Sequence, residues 1–386
     1  MVGGPKAVQS TTNAPSRSQE SSPLISLDIL IAVLFKTIFH PFIACLLPFC
    51  LRALAAPYTS ISFISTSVFA ACVCVYHLLV ILNQRFAYGP PRKIDWEDEV
   101  VVITGGCGGL GGCIAEIYGL RGVTVVVLDI AVSPKDHGVE KEGVYYYRCD
   151  LSQFDQIEDA WRRVTKDLGT PTILINNAAH MSANSVWNTS TVEVEMAFRV
   201  NAISHFITTK LFLSGLGPRR GGTLVTISSV LGQLCAANLA AYCASKAAIT
   251  AYHQSLTAEL AMSTPKIKTI LVAPGQLDTK MFAHVKTQGW LQKVVGPAVA
   301  AGALATEIVG TIDAGNSGEI RMPFFANWAV IIAVLPMSIQ RGLRWWSGMD
   351  QAFDWYLEDQ PNIDAYSDSE SDEESSSSDE SSSLSE

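Results

Sequence analysis

The residues best suited to chemistry are Tyr242 and Lys246, four apart in Tyr-Cys-Ala-Ser-Lys. On a helix that spacing puts a phenol and an ammonium on one face, a turn apart. A free tyrosine, with a pKa near ~10, is a poor base at neutral pH. A lysine beside it is expected to favour the phenolate, since an opposite charge stabilises the charged form. Such a group could take a proton from an alcohol or give one to a ketone. The spacing alone also describes an ordinary solvated helix face. A reaction would need a hydride acceptor and a substrate as well.

A candidate for the first requirement is Gly105-Gly106-Cys107-Gly108-Gly109-Leu110-Gly111, which follows the apolar run Val100 to Thr104. A glycine-rich turn between a strand and a helix lets the backbone approach a pyrophosphate at the helix N-terminus. Gly106, Gly108 and Gly111 fit Gly-x-Gly-x-x-Gly, while Thr104, Gly105, Gly109 and Gly111 fit Thr-Gly-x-x-x-Gly-x-Gly. Asp129 closes the next apolar run, 18 residues past Gly111. A carboxylate there can accept from the adenosine ribose and would repel a 2′-phosphate. No Lys or Arg lies in the turn. The pattern predicts NAD in preference to NADP.

The elements that must position these groups alternate. Predicted strands are Val100 to Thr104, Val123 to Leu128, Tyr145 to Cys149, Thr172 to Ile175, Thr223 to Ile227, Lys268 to Val272 and Glu319 to Met322. Between them lie predicted helices ending near Leu120, and over Gln153–Leu168, Val192–Phe212, the segment through Tyr242 to Met262, and Ala298–Ile312. Continuous apolar strands alternating with helices predict an α/β fold, a doubly wound parallel sheet of Rossmann type, over residues 95–322. Ligands bind at the carboxyl ends of such strands. Asp129, Asp150, Asn176 to Ala179, Ser228-Ser229 and Pro274-Gly275 all fall there.

The flanks differ in character. The chain is 48% hydrophobic and only 16% charged, which points to membrane contact. Residues 1–23, rich in Ser, Thr, Pro and Gly, are expected to be disordered. Residues 24–88 form the expected anchor. Its first segment, about 24–51, is interrupted by Asp28, Lys36, His40, Pro41 and Pro48, and reads as a kinked span or a re-entrant or interfacial helix. Its second, 59–83, is uncharged and long enough to cross a bilayer. Lys6 and Arg17 on one flank and Arg85, Arg92 and Lys93 on the other predict a hairpin with both ends cytosolic. The apolar run Phe324 to Leu335, with Arg341, Arg344, Trp345 and Trp346 beyond it, makes residues 323–350 an interfacial segment or a C-terminal core helix. The tail, 360–386, is acidic and Ser-rich. Nine of the chain's 36 acids lie within 364–386, leaving 27 against 27 bases elsewhere, so no basic field exists to attract nucleic acid. Ser367, Ser369, Ser371, Ser376 and Ser377 each precede an acid by three residues, the pattern of an acidophilic kinase substrate. The nine scattered cysteines have no metal-site spacing and read as buried free thiols in a reducing compartment.

These motifs together resemble the classical short-chain dehydrogenases/reductases, from about Glu99 to Met322. By that resemblance Thr104, Gly105, Gly109, Leu110 and Gly111 form the cofactor turn, and Asp129, Asp150, Leu151, Asn177, Ala178, Pro274, Gly275 and Thr279 complete the cofactor site. Ala179 stands where the family's Asn-Asn-Ala-Gly motif has glycine. Tyr242 is the implied acid–base group, with Lys246 also holding the nicotinamide ribose. Ser229, 13 residues before the tyrosine, would bind the substrate oxygen, and Asn201 would hold a relay water. With its anchor the chain looks most like the membrane-bound branch of retinol and 17-beta-hydroxysteroid dehydrogenases. The expected function is NAD-dependent interconversion of a lipophilic alcohol and its carbonyl. The expected place is a membrane of the endoplasmic reticulum or a lipid droplet, with the catalytic domain facing the cytosol. The loop from Gly275 to about Val295, with Met281, Phe282 and Trp290, would cover the substrate. His180, just after the Asn-Asn motif, is near enough to line the pocket but reads first as a surface-loop residue, Cys243 reads as a packed one, and a homodimer is a further expectation. Two alternatives stand: an NADPH-dependent ketoreductase, and a membrane-anchored scaffold without turnover.

Overall fold

The structure is a computed structural model, described for residues 26–353 except 133–138, 142, 217–220, 264–266, 284 and 286–288. The expected N-terminal disorder and the tail phosphorylation sites lie outside the described residues.

Three helices come first: α1 (Leu27–Lys36), α2 (Pro41–Ala53) and α3 (Ile61–Tyr88). Ser26 and Ser60 cap α1 and α3, accepting from Ile29 N and Phe63 N. α1 and α2 are bent by 55° where Pro41 opens the second helix. α2 packs on α3, where Cys45 and Cys74 meet at 3.5 Å and His77 Nε2 lies 3.1 Å from Phe39 O. α3 alone among the described helices is long and apolar enough to cross a membrane. It runs five residues beyond the uncharged stretch and ends at Gly89, whose φ of +69° stops the helix. Gln84 Nε2 donates to Ser317 O at 2.5 Å and Lys268 Nζ to Tyr88 O at 2.8 Å, joining α3 to the following domain.

That domain alternates β1 (Val100–Thr104), α4 (Gly109–Leu120), β2 (Thr124–Asp129), β3 (Val139–Lys141), β4 (Val144–Arg148), α5 (Phe154–Leu168), β5 (Ile173–Asn176), α6 (Thr191–Phe198), α7 (Ser204–Leu216), β6 (Gly222–Ile227), α8 (Ala240–Ser263), β7 (Ile267–Val272), α9 (Trp290–Val295), α10 (Ala301–Asp313) and β8 (Gly318–Ile320). The sheet order is β3-β4-β2-β1-β5-β6-β7-β8, with seven strands parallel and β3 antiparallel at the edge. β3 was not among the predicted strands; it is three residues long and turns straight into β4. Strand residues alternate between the two faces. Val101, Ile103, Val125 and Val127 pack under α4 and α10; Val100, Val102, Val126 and Leu128 pack under α5 and α7. A sheet buried on both faces explains why its strands read as unbroken apolar runs.

Two departures from the sequence expectation matter. The predicted helix Val192–Phe212 is α6 and α7 separated by a π-helical turn, Arg199–Ile203, which contains Asn201. The run Phe324–Leu335 is not one helix. It forms a 3-10 turn, Phe324–Trp328, and α11 (Ala329–Ala333), followed after Pro336 by α12 (Met337–Ser347). Only Ala326 and Ala329 of the run are buried. The cysteines are free, but only Cys149 and Cys243 are buried. Cys50 and Cys72 are exposed on α2 and α3, as is Cys74 beside its contact with Cys45, and apolar side chains are exposed there too.

Candidate active site

The carboxyl ends of β1, β2, β4, β5, β6 and β7 open into one cavity of about 900 Å³. Such a volume is at the upper end for ligand sites. One end is the glycine turn. Gly105 has a φ of +66°, and a Cβ there would sit 2.7 Å from Ala178 Cα. At Gly111 a Cβ would meet Gly105 O at 2.4 Å and Asn177 Nδ2 at 2.5 Å. No larger residue fits where α4 crosses this turn. Gly108, Gly109 and Leu110 line the cavity at the start of α4, where unpaired N–H groups favour an anion.

Thr104 holds the turn from beneath. Its Oγ1 accepts from Asn177 N at 3.0 Å and Ala178 N at 3.1 Å. Asn177 Nδ2 returns to Thr104 O at 3.0 Å and Gly105 O at 2.8 Å. Thr104, Gly111 and Asn177 thus act by fixing the backbone, and Thr104 and Gly111 are absent from the described cavity wall. Asp129 is bonded rather than free. Its Oδ2 accepts from Cys107 N and its Oδ1 from Ala131 N, both at 2.9 Å. Asp150 Oδ1 accepts from Ser152 N at 2.9 Å. Asp129, Asp150, Leu151, Ala178, Pro274, Gly275 and Thr279 all line the cavity.

The other end holds Ser229, Tyr242 and Lys246. Ser229 caps a 3-10 turn, Val230–Gly232, accepting from Leu231 N at 3.1 Å. Ser228 also lines the cavity, and its hydroxyl bonds Lys246 O at 3.1 Å and Thr250 Oγ1 at 2.6 Å, so it ties β6 to α8. Lys246 Nζ donates to Ile227 O at 2.9 Å and lies 5.8 Å from the Tyr242 ring centroid.

Burial sets the electrostatics of this pair. Burial pushes the Tyr242 phenol above its ordinary range, the nearby Ser229 hydroxyl pulls it down, and Cys243 adds an upward push. Burial also lowers Lys246 to about 8. Desolvation is the largest influence on both groups in the absence of a ligand.

Asn201 is fully buried and does not line the cavity. Its Oδ1 accepts from His180 N at 2.6 Å, and its Nδ2 donates to His180 O at 2.8 Å and to Ser245 Oγ at 2.9 Å. It thereby clamps the loop after β5 to α8, one residue from Lys246. His180, expected at the surface, is half-buried and lines the cavity. Met281 and Phe282 also line it, but Trp290 is 72% exposed and does not. Sequence reasoning missed Cys107, Ile130, Ala131, Met196 and Val200 on the wall. Cys107, Ile130 and Ala131 adjoin known motifs, whereas Met196 and Val200 are brought in by the packing of α6 and the π turn.

The short chain dehydrogenase family matches residues 99–289. The uncharacterized oxidoreductase TDA5 of Saccharomyces cerevisiae is 32% identical over 296 residues, covering 72% of this chain and 87% of that protein. Estradiol 17-beta-dehydrogenase 11 of Homo sapiens is 28% identical over 256 residues, 64% of this chain and 81% of that one. Among solved structures, 4-hydroxyisoleucine dehydrogenase complexed with NADH superposes with a TM-score of 0.53 over 59% of this chain and 99% of that one, at 20% identity, a likeness of fold. The chain belongs to the short-chain dehydrogenase/reductase family, related to its 17-beta-hydroxysteroid and retinol dehydrogenase branch, and is an oxidoreductase of alcohol and carbonyl groups with NAD(P).

Proposed function

We propose that the protein interconverts a lipophilic alcohol and its carbonyl while anchored to a membrane. The observation that carries this reading is the convergence of Ser229, Tyr242 and Lys246 on one end of a cavity whose other end is the glycine turn. The dinucleotide fits that cavity: the start of α4 favours its pyrophosphate, and Asp129 and Asp150 stand beside the turn. When bound it supplies the hydride acceptor or donor. Asp129 favours NAD, since a 2′-phosphate would be repelled, and Lys246 and Lys280 are the only Lys or Arg residues on the described wall. A strong turnover preference for NADPH over NADH would overturn this assignment.

Tyr242 gives its phenolic proton to a carbonyl oxygen, or takes the hydroxyl proton in the reverse direction. Ser229 donates to the same oxygen and stabilises charge developing there. The ammonium of Lys246 favours the phenolate as it forms. Asn201 positions His180 and α8, and a relay water would rest on its main chain in the widened turn. Because burial raises the Tyr242 phenol, the rate of alcohol oxidation should rise with pH.

Met281, Phe282, Met196 and Val200 make the substrate end apolar. With α3, they favour a retinoid, sterol, long-chain lipid or hydrophobic secondary metabolite, presented at the reticulum or a lipid droplet to a cytosolic domain. The name of estradiol 17-beta-dehydrogenase 11 puts hydroxysteroids first in a substrate screen. Tyr242→Phe should lower turnover by about 10³-fold or more while NADH affinity stays within about threefold. Retention of most turnover would sink the assignment.

A further inference from the structure

A second cavity, of about 620 Å³, lies where α3 meets the catalytic domain, and among the described residues it shares no wall with the active site. The end of α3 gives it Asn83, Gln84 and Tyr88; α10 gives Glu307 and Thr311; the chain through β8 gives Asn316 to Met322. The wall is polar, made of amides, carboxylates, a guanidinium and a phenol. Its volume is that of a small-ligand site.

Its level along α3 indicates what could reach it. Asn83 closes the uncharged stretch, and Arg85 follows. On the reading of α3 as a membrane helix, the hydrocarbon core ends near Asn83. A helix rises about 1.5 Å per residue, so Tyr88 lies roughly 7.5 Å further out, and the cavity spans the headgroup layer. Asn327 lines it too, and the adjoining Trp328 is 49% exposed, as suits an indole at that level. One and two turns below Asn83, Leu79 and Val75 are exposed and can meet acyl chains.

The charged groups on the wall are two acids and one base. Arg321 donates through Nε and Nη2 to Glu319 Oε2, at 3.0 and 2.8 Å, and through Nη1 to Gln233 Oε1 at 2.9 Å. Glu307 is exposed, and its carboxylate has no hydrogen-bond or ion-pair partner among the described residues. The excess is negative, which favours a cation and disfavours an anionic headgroup. Tyr88 supplies an aromatic ring of the kind that receives a quaternary ammonium. The side-chain amides of Asn83 and Asn316 can donate to phosphate oxygens.

We propose that this cavity binds the headgroup of a zwitterionic phospholipid, its ammonium towards Glu307 and Tyr88 and its phosphate towards Asn83 and Arg321. The test uses the full chain in a maltoside detergent and counts bound molecules by native mass spectrometry. The probes are dihexanoylphosphatidylcholine, dihexanoylphosphatidylglycerol and phosphocholine, each added alone. The phosphatidylcholine should give one saturating adduct, bound about fivefold or more tighter than the phosphatidylglycerol. Glu307→Lys, at an exposed position outside the active-site cavity, should keep its turnover and bind the phosphatidylcholine about tenfold more weakly. Equal binding of both lipids by the parent would overturn the proposal, as would an unchanged adduct in Glu307→Lys. Phosphocholine bound as tightly as the lipid would assign the cavity to a soluble ligand and overturn the lipid. The proposal rests on the reading of α3 as a membrane helix, which flotation of the chain with phosphatidylcholine vesicles tests separately. A chain that does not float defeats that reading, while the adduct counts still decide the headgroup preference.

Discussion

Replacing Lys246 with methionine separates what stabilises this protein from what makes it work. The Lys246 side chain is 1% exposed and its Nζ donates to Ile227 O at 2.9 Å. Burial lowers it from 10.5 to about 8, so at neutral pH the folded protein still holds an ammonium it disfavours. That gap corresponds to about 3 kcal/mol, at about 1.4 kcal/mol per tenfold. Removing the ammonium leaves the Ile227 carbonyl without this partner, at a cost of about 1–2 kcal/mol. Methionine fills much of the stem's volume. The variant without ligand should therefore be more stable than the parent at pH 7 by about 1–2 kcal/mol, a rise of roughly 3–6 °C in Tm. The sign follows from the depressed lysine. Its cost is fully present below about 8 and disappears as pH rises towards 10.5, so the parent gains on the variant over that window. The measurement is Tm of detergent-solubilised protein without cofactor at pH 7, 9 and 10. Turnover should be almost lost at every pH. A variant less stable than the parent at pH 7, with a gap that does not change with pH, would refute the desolvation argument.

Three further perturbations test other parts of the frame. Gly111→Ala puts a Cβ 2.4 Å from Gly105 O; NADH affinity, measured by fluorescence titration, should fall more than tenfold, with a lower Tm. Arg92 Nη2 donates to both carboxylate oxygens of Glu99, at 2.6 and 2.8 Å, in a buried pair with side chains 9% and 5% exposed. Glu99→Gln leaves the arginine charge uncompensated and should cost about 3 kcal/mol in denaturant unfolding. Ser229→Ala removes a donor at the substrate oxygen and should lower kcat by about 10²-fold, with little change in NADH affinity.

Most of the sheet was legible because its physical causes are local. Strands buried on both faces must be apolar along their whole length, and glycine is required where α4 crosses Gly105. The motif residues were legible for the same reason: Thr104, Gly111 and Asn177 are tied to their neighbours by backbone contacts that few other side chains could replace. The short antiparallel strand Val139–Lys141 was not, since three residues carry no period. Nor was the π turn at Asn201, which depends on what α6, α7 and α8 pack against. The C-terminal apolar run gave the composition of an interfacial helix, but it breaks into a 3-10 turn, α11 and α12.

The sequence by itself determined the chemistry available: a phenol and an ammonium one turn apart, a serine thirteen residues before them and a glycine turn. Only the tertiary structure decided the state of those groups. It set Asn201 to clamp a loop, tied Ser228 to α8, and raised Tyr242 while lowering Lys246. Residue type and spacing specify which atoms are present. Protonation and contact depend on how much water is removed around them, and that is set by elements distant in the chain.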